Sequence, residues 1–523
     1  MSATNGPPDL EITGPTAVLP SRYDVTGLAT DAVARATLAA AELLAARTGE
    51  PIRRVLVDRI AACAAFAGER LFRPDGWELP PIWDPIAGDY RCRDGWVRLH
   101  TNYANHRAAA LRALRLPPDC ASRDEVTTAT VGWFGADLES AVVAEGGAAA
   151  RLRSNADWRV SSEGLAGRDQ RLRTTPARRT DANHIGPPPA DLPLAGIRVL
   201  DLTGVIAGPV CTRFLAAYGA DVLRIDPPGF AEVPAVIPEM TPGKRCAAVD
   251  LREAAGRDRF AGLVRQANVV VGGYRDGALQ ALGFGADRLR ELNPGLIIAR
   301  LTAYGWDGPW ARRRGFDSLV QMSCGIAQLD DAPPSPLPVQ ALDHATGYLL
   351  AAAVCRALGT LVRTGVPAEI RTSLVATAND LLARPASAEP AAAPEWPDEV
   401  FETVGTAWGP ARRVRVPGVI QGVEPSWRVQ AGPLGRHEAA FGRWRRWSAI
   451  ALAARINSAS AAEVGLFVTG VTAVNGFVRA VEVDPRGTSR GCANSGATER
   501  WRRMDRLPRT PAGHPRVPAW AEQ

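Results

Sequence analysis

The chain has 523 residues, 46% hydrophobic and 22% charged, which excludes a disordered chain and allows roughly two to four domains around a large core. Its net charge of +6 does not point to nucleic acid, because residues 436–523 hold fourteen arginines against seven acids, and a basic tail is not a basic groove. Eight scattered cysteines form no CxxC pair, so no metal site and no disulfide framework is expected.

In chain order, the first fifteen residues, MSATNGPPDLEITGP, carry neither a basic nor an apolar signal region. No apolar run reaches the roughly eighteen residues of a membrane span. The expectation is a cytoplasmic protein with reduced thiols, with no membrane and no nucleic acid as partner. Residues 1–80 read as an N-terminal helical segment. Within it, residues 25–66 echo residues 341–382 at a constant spacing of 316: an Ala/Leu helix, an RTG-x-P turn, a β-like piece and a second helix. The shared RTG and proline argue for duplication. Where the second copy has Asp343 the first has Gly27, so the first is a degenerate copy of the region that carries the acid.

Residues 81–175 contain YRCRDGWVRL, where Asp-Gly between β-formers predicts a hairpin turn. With the helical stretches that follow, they read as a small α+β domain. Residues 176–191 are a Pro-rich linker. Residues 192–385 alternate apolar strands with helices, beginning LAGIRVLDLTGVIAGPVCTRFLAAYGADVLRID. Strands buried on both faces with helices between them predict an α/β fold, a Rossmann-like, doubly wound parallel sheet. Residues 386–435 read as a linker and return segment. Residues 436–523 form an Arg/Trp-rich tail with the composition of partial disorder.

A βαβ unit invites a dinucleotide reading, but GVIAGP lacks the G-x-G-x-x-G spacing that makes room for a pyrophosphate. Asp343 opens the apolar helix in QALDHATGYLLAAAVCRAL. An acid there caps the helix, or it is a nucleophile whose charge the helix dipole and backbone N–H groups stabilise. Lys244 and Arg245 after a Pro-Gly turn, Arg224 at the end of a strand and Arg275 after another are candidate phosphate-binding cations.

The phrases AGPVCTRFLAAYGADVLRIDPP, TPGKRCAAVDLR, VVVGGYRDGALQALGFG, LTAYGWDGPWARRRGFDSLVQMSCGIA and ALDHATGY resemble, in order and spacing, the class III CoA-transferases (CaiB/BaiF family), which include formyl-CoA transferases and α-methylacyl-CoA racemases. The resemblance runs from about residue 193 to 385. It implies a Rossmann-like large domain, a small domain and an interlocked homodimer. It also implies coenzyme A as part of the substrate and no bound cofactor. By this resemblance Asp343 is the nucleophile, Ile206, Ala207 and Gly208 approach the nucleotide, and Tyr274 lies beside adenine. His344 and Asp317 are accessory candidates. The expected activity moves CoA from an acyl-CoA to an acceptor carboxylic acid. The racemases' histidine corresponds to Phe316, which disfavours racemisation, while a silent CoA-binding paralogue stays open. The small-domain half precedes the large one here, which implies a circularly permuted unit and leaves homodimer or monomer open.

Overall fold

The structure, a computed structural model, describes residues 10–442 except 121, 181–184, 190, 330–331 and 387–393, together with a strand pair at Ala473–Val474 and Phe477–Val478. The chain divides into two units, Met1–Arg446 and Trp447–Gln523. In the second unit those two short strands pair antiparallel. The reading of 436–523 as a tail otherwise concerns residues that, from 443 on, lie outside the described ones.

The first unit is organised by a seven-stranded sheet. Its strands are β1 (Arg173–Pro176), β2 (Arg198–Leu202), β3 (Asp221–Asp226), β4 (Lys244–Ala248), β5 (Val269–Gly272), β6 (Ile297–Thr302) and β7 (Ala368–Ser373). Their spatial order is β4-β3-β2-β5-β6-β7-β1, parallel throughout except for the antiparallel edge pair β7/β1. The two-residue alternation of strands divides their apolar side chains between two cores. Val199, Val269, Val271, Ile297, Ala299 and Ile370 enter one core, and Leu200, Leu223, Ile225, Val270 and Ile298 enter the other. The strand order reverses between β2 and β5, so the loops after these two strands, 203–206 and 273–277, flank the crevice where such sheets bind ligands.

Helix α1 (Val25–Thr48) and helix α6 (Ala341–Thr364) pack against each other, and α6 also packs on α4 (Ala207–Ala217), the helix after β2. The remaining helices named below are α2 (Arg59–Phe66), α3 (Gly68–Leu71), α5 (Asp317–Ser323) and α7 (Leu374–Ala383). The duplication read from sequence has a structural counterpart. Both α1 and α6 have 24 residues, their N-caps have φ −73°, ψ 64° and φ −74°, ψ 64°, and each ends on a left-handed glycine, Gly49 or Gly365. Each is followed by a strand, Val55–Asp58 or β7, and a second helix, α2 or α7.

Helix α6 corrects one expectation. It is long and apolar enough to cross a membrane by length and composition, with a mean hydropathy of 1.5, but 78% of that stretch is buried inside the protein.

The hairpin predicted at Asp94-Gly95 is present, Gly88–Cys92 pairing with Gly95–Leu99, and Ala149–Arg151 adds a third strand. The segment after residue 393 returns to the N-terminal residues. Its strand Pro410–Val414 pairs with Arg73–Pro74, and Val419–Ile420 pairs with Val55–Leu56. Trp427 donates from its indole nitrogen to the Arg213 carbonyl at 2.9 Å, fixing this return against α4.

Gly347 sets how closely α6 approaches α4. A Cβ there would stand 2.5 Å from the Ala207 carbonyl oxygen and 2.8 Å from the Val210 side chain. Overpacking of this kind typically costs about 1–3 kcal/mol. Gly347→Ala is therefore expected to lower the unfolding free energy by that amount, read as a lower urea midpoint at an unchanged denaturant slope.

Candidate active site

Helix α6 begins with backbone N–H groups that need acceptors. The Leu342 and Asp343 N–H groups donate to one oxygen of Asp317, at 2.8 and 3.0 Å. The Ala341 N–H donates to the Val339 carbonyl and the His344 N–H to that of Gln340. Asp317, in the first turn of α5, is thus the cap of α6, and Gln321 donates to its other oxygen. Asp343 therefore does not cap its own helix. This also overturns the expectation that these backbone N–H groups bond to Asp343, because all four are already engaged.

The Asp343 carboxylate is buried and has no hydrogen-bond partner among the described residues. Burial pushes its pKa well above the usual carboxylate range, and the nearby carboxylates of Asp317 and Glu69 push it further. Asp317 is also raised, by burial, although the N–H groups it caps oppose the shift. Two buried carboxylates this close resist being charged together.

Glu69, from α3, is the third acid. Burial alone would raise its pKa, but His344, together with a backbone hydrogen bond and the charge of Arg70, holds it below the ordinary value. The His344 Nε2 lies 3.0 Å from a Glu69 oxygen, and the ring stacks on Phe66 at a centroid distance of 5.2 Å. His344 therefore faces Glu69 as a buried partner, and its Nδ1 and the other Glu69 oxygen are without partners.

Asp343, Asp317 and Glu69 line a cavity of about 60 Å³ with Ile82, Trp83, His100, Ile206, Val233, Val236 and Phe316. Phe316 and His100 stack face to face, centroids 3.6 Å apart and planes within 1°. Burial pulls His100 down to about 3, and its Nδ1 is buried without a partner. Glu69 and His100 both escaped sequence reasoning. They lie some 240 residues or more before Asp343, in segments read as helical repeat and small domain, and no local motif marks them. A cavity of about 880 Å³ lies elsewhere, along α6 from Leu349 to Thr360, and does not include Asp343. The smaller cavity is taken as the site because it holds the unpartnered buried acid.

The loop after β2 forms one wall. Val205 has φ +61°, rare for a β-branched residue. Its N–H donates at 2.9 Å to Glu232, which also accepts from the Tyr103 hydroxyl at 2.7 Å and from Arg224 at 3.0 Å. Ile206 caps α4, and Ala207 and Gly208 open it. A Cβ at Gly208 would stand 2.3 Å from Thr203, so only glycine fits this turn.

The predicted cations divide. Arg224 is 1% exposed and is held by Asp226 and Glu232. Lys244 is fully buried, 3.0 Å from both an Asp201 oxygen and the Pro209 carbonyl. Arg245 pairs with Asp221 at the N-terminal ends of the strands, away from the crevice. These three are corrected from phosphate ligands to internal ion pairs, since a buried charge needs its partner inside the fold. Arg275 is different. It is exposed after β5, and its guanidinium makes no hydrogen bond or ion pair among the described residues. Its charge acts on both Arg314 and His106, and His106 lies 5.8 Å from Phe316, ring to ring. Arg314, half-buried, joins it in a pair of cations that no nearby acid neutralises among the described residues. Tyr274, half-buried, packs against the second core.

Residues 194–410 match the family model described as CoA-transferase family III. A probable fatty acyl-CoA transferase of Mycobacterium tuberculosis is 36% identical over 198 residues, 35% of this chain and 50% of that protein. A formyl-CoA:oxalate CoA-transferase of Escherichia coli is 31% identical over 188 residues, 33% of this chain and 45% of that one. The chain thus spans about half the length of these relatives. A CaiB/BaiF family protein from Brucella suis, known by its crystal structure, is 27% identical, with a TM-score of 0.35 over 42% of this chain and 65% of that one.

Removing the negative neighbour should release Asp343. In Asp317→Asn the Asp343 carboxyl is expected to titrate at lower pH than in the parent, read by difference infrared spectroscopy against Asp343→Asn. Asn keeps an oxygen to accept from the α6 N–H groups. The linkage sign is the reverse of an ordinary salt-bridged acid. A carboxyl raised in the folded state binds its proton more tightly folded than unfolded, so it destabilises the fold above its folded pKa, and that cost fades as pH falls. Asp343→Asn is therefore expected to raise the unfolding midpoint at pH 8 more than at pH 4.

Proposed function

We propose that this chain, whose residues 194–410 match the model of CoA-transferase family III, transfers coenzyme A from an acyl-CoA to an acceptor carboxylic acid, with Asp343 as nucleophile. One observation carries the reading: a buried carboxylate, relieved of capping by Asp317, stands without a partner beside a small cavity at the ligand-binding edge of the sheet.

The Asp343 carboxylate attacks the thioester carbonyl, the C–S bond breaks, and CoA thiolate leaves a mixed anhydride behind. The thiolate then attacks the aspartyl carbonyl. The donor acid departs as its carboxylate, and Asp343 becomes a thioester to CoA. The acceptor carboxylate attacks that thioester and releases the thiolate, which attacks the acceptor's own carbonyl in the new anhydride. Acyl-CoA and free Asp343 result. The thioester's energy is conserved at each exchange, so the cycle consumes no ATP. Burial favours it by desolvating the attacking carboxylate and by keeping water from the anhydride.

Arg275 and Arg314, unneutralised beside the crevice, suit the phosphates of CoA. The order of segments, small-domain half before large, together with the α1/α6 duplication, supports a permuted form of the family's unit.

Incubation with acyl-CoAs and hydroxylamine, followed by peptide mapping, tests the reading. A hydroxamate at Asp343, absent in Asp343→Ala, is expected. CoA binding without any adduct would leave a silent CoA-binding protein in its place. Arg275→Ala is expected to raise KM for acyl-CoA about tenfold, the loss of roughly 1.4 kcal/mol, with little change in kcat.

A further inference from the structure

The cavity beside Asp343 has walls that select among acids. Ile82, Trp83, Ile206, Val233, Val236 and Phe316 give it an apolar wall. Its ionisable lining is acidic: Asp343, Asp317 and Glu69. Arg70 is the one cation lining it among the described residues, and that guanidinium is exposed and donates to the Pro338 carbonyl. His100, 4% exposed, supplies a polar wall with an unpartnered Nδ1.

Size and charge then act together. An apolar cavity of about 150 Å³ accommodates a benzene ring, so about 60 Å³ leaves room for roughly three heavy atoms on that scale. A second carboxylate placed there would meet three acids against a single cation, the solvent-exposed Arg70, and burying a charge away from a partner is costly. A neutral imidazole can donate to a carbonyl oxygen while adding no charge. The α6 N–H groups are occupied, so the neutral lining groups with an unpartnered buried polar atom are His100, through Nδ1, and Ser318, through its hydroxyl; of these the imidazole stacks on Phe316 in the cavity wall.

Resting on the transferase reading above, we propose that this cavity holds the acyl group and admits only short, uncharged aliphatic acyl chains, with His100 as the neutral donor to the acyl oxygen and Trp83 as the wall that limits length. The substrates are then short monocarboxylic acids and their CoA thioesters. Dicarboxylic acids are excluded by charge, and long-chain acids by volume.

The test uses the full chain with acetyl-, propionyl-, hexanoyl- and succinyl-CoA as donors, hydroxylamine trapping at Asp343 and kcat/KM for CoA transfer to propionate. Acetyl- and propionyl-CoA are expected to exceed succinyl- and hexanoyl-CoA at least a hundredfold. Trp83→Ala, at a position 38% exposed and so not needed for the core, should raise hexanoyl-CoA relative to propionyl-CoA at least tenfold. His100→Gln, which keeps a neutral donor, should retain more kcat than His100→Phe at similar KM. Equal use of succinyl- and propionyl-CoA would overturn the proposal while leaving the transferase intact. So would a Trp83→Ala profile unchanged in chain length. No adduct from any of the four donors, despite CoA binding, would instead defeat the transferase reading and this proposal with it.

Discussion

The pair of hydrogen bonds from the Leu342 and Asp343 N–H groups to Asp317 governs the site. A helix beginning inside a protein must satisfy its first N–H groups, and an acid in the first turn ordinarily serves. Here that need is met from outside, by a carboxylate on α5, and the helix's own acid is left without an assignment inside a low-dielectric wall. The same arrangement puts a second negative charge beside it. Burial is the main reason Asp343 is raised when a helix N-terminus would ordinarily lower it, and the capping carboxylate adds to that rise.

How much of this was legible in the sequence depended on whether the signal was local. Strands such as VVVG and the βαβ run from Arg198 to Asp226 announce themselves, because a strand covered on both faces must be apolar throughout. Asp343 was found because it breaks an apolar helix at its mouth, and the Ala/Leu copy at residues 25–48 was found by its RTG turn. The paired cations were misread for a physical reason. Sequence gives the charge of Lys244 and Arg224 but not the acids that meet them, and Asp201 and Glu232 sit on other segments. Glu69 and His100 were missed because their roles exist only once the N-terminal third lies over the sheet. Phe316 was read only as a missing histidine. In the fold it is half of a stacked pair, and the imidazole is the other half.

The chain links these distant pieces through its return segment. Strand pairing at Pro410–Val414 and Val419–Ile420, and the indole of Trp427 on α4, tie residues beyond the sheet to residues before it. The site is consequently assembled from both ends of the first unit. Glu69 and His100 come from one side, and Asp317 and Asp343 from the other. Loss of the return pairing would be felt in the cavity, although none of the return residues touches it.

The first copy of the helix carries a consequence for how the chain can change. At its mouth Asp24 accepts from the Gly27 N–H at 2.8 Å, and a Cβ on residue 27 would stand 2.0 Å from that same carboxylate. Gly27 and Asp24 are thus mutually dependent: the cap occupies the space an acid at position 27 would need. A side chain at position 27 would have to push the Asp24 carboxylate aside and loosen the cap it provides, so the first copy keeps its helix start by leaving that position bare.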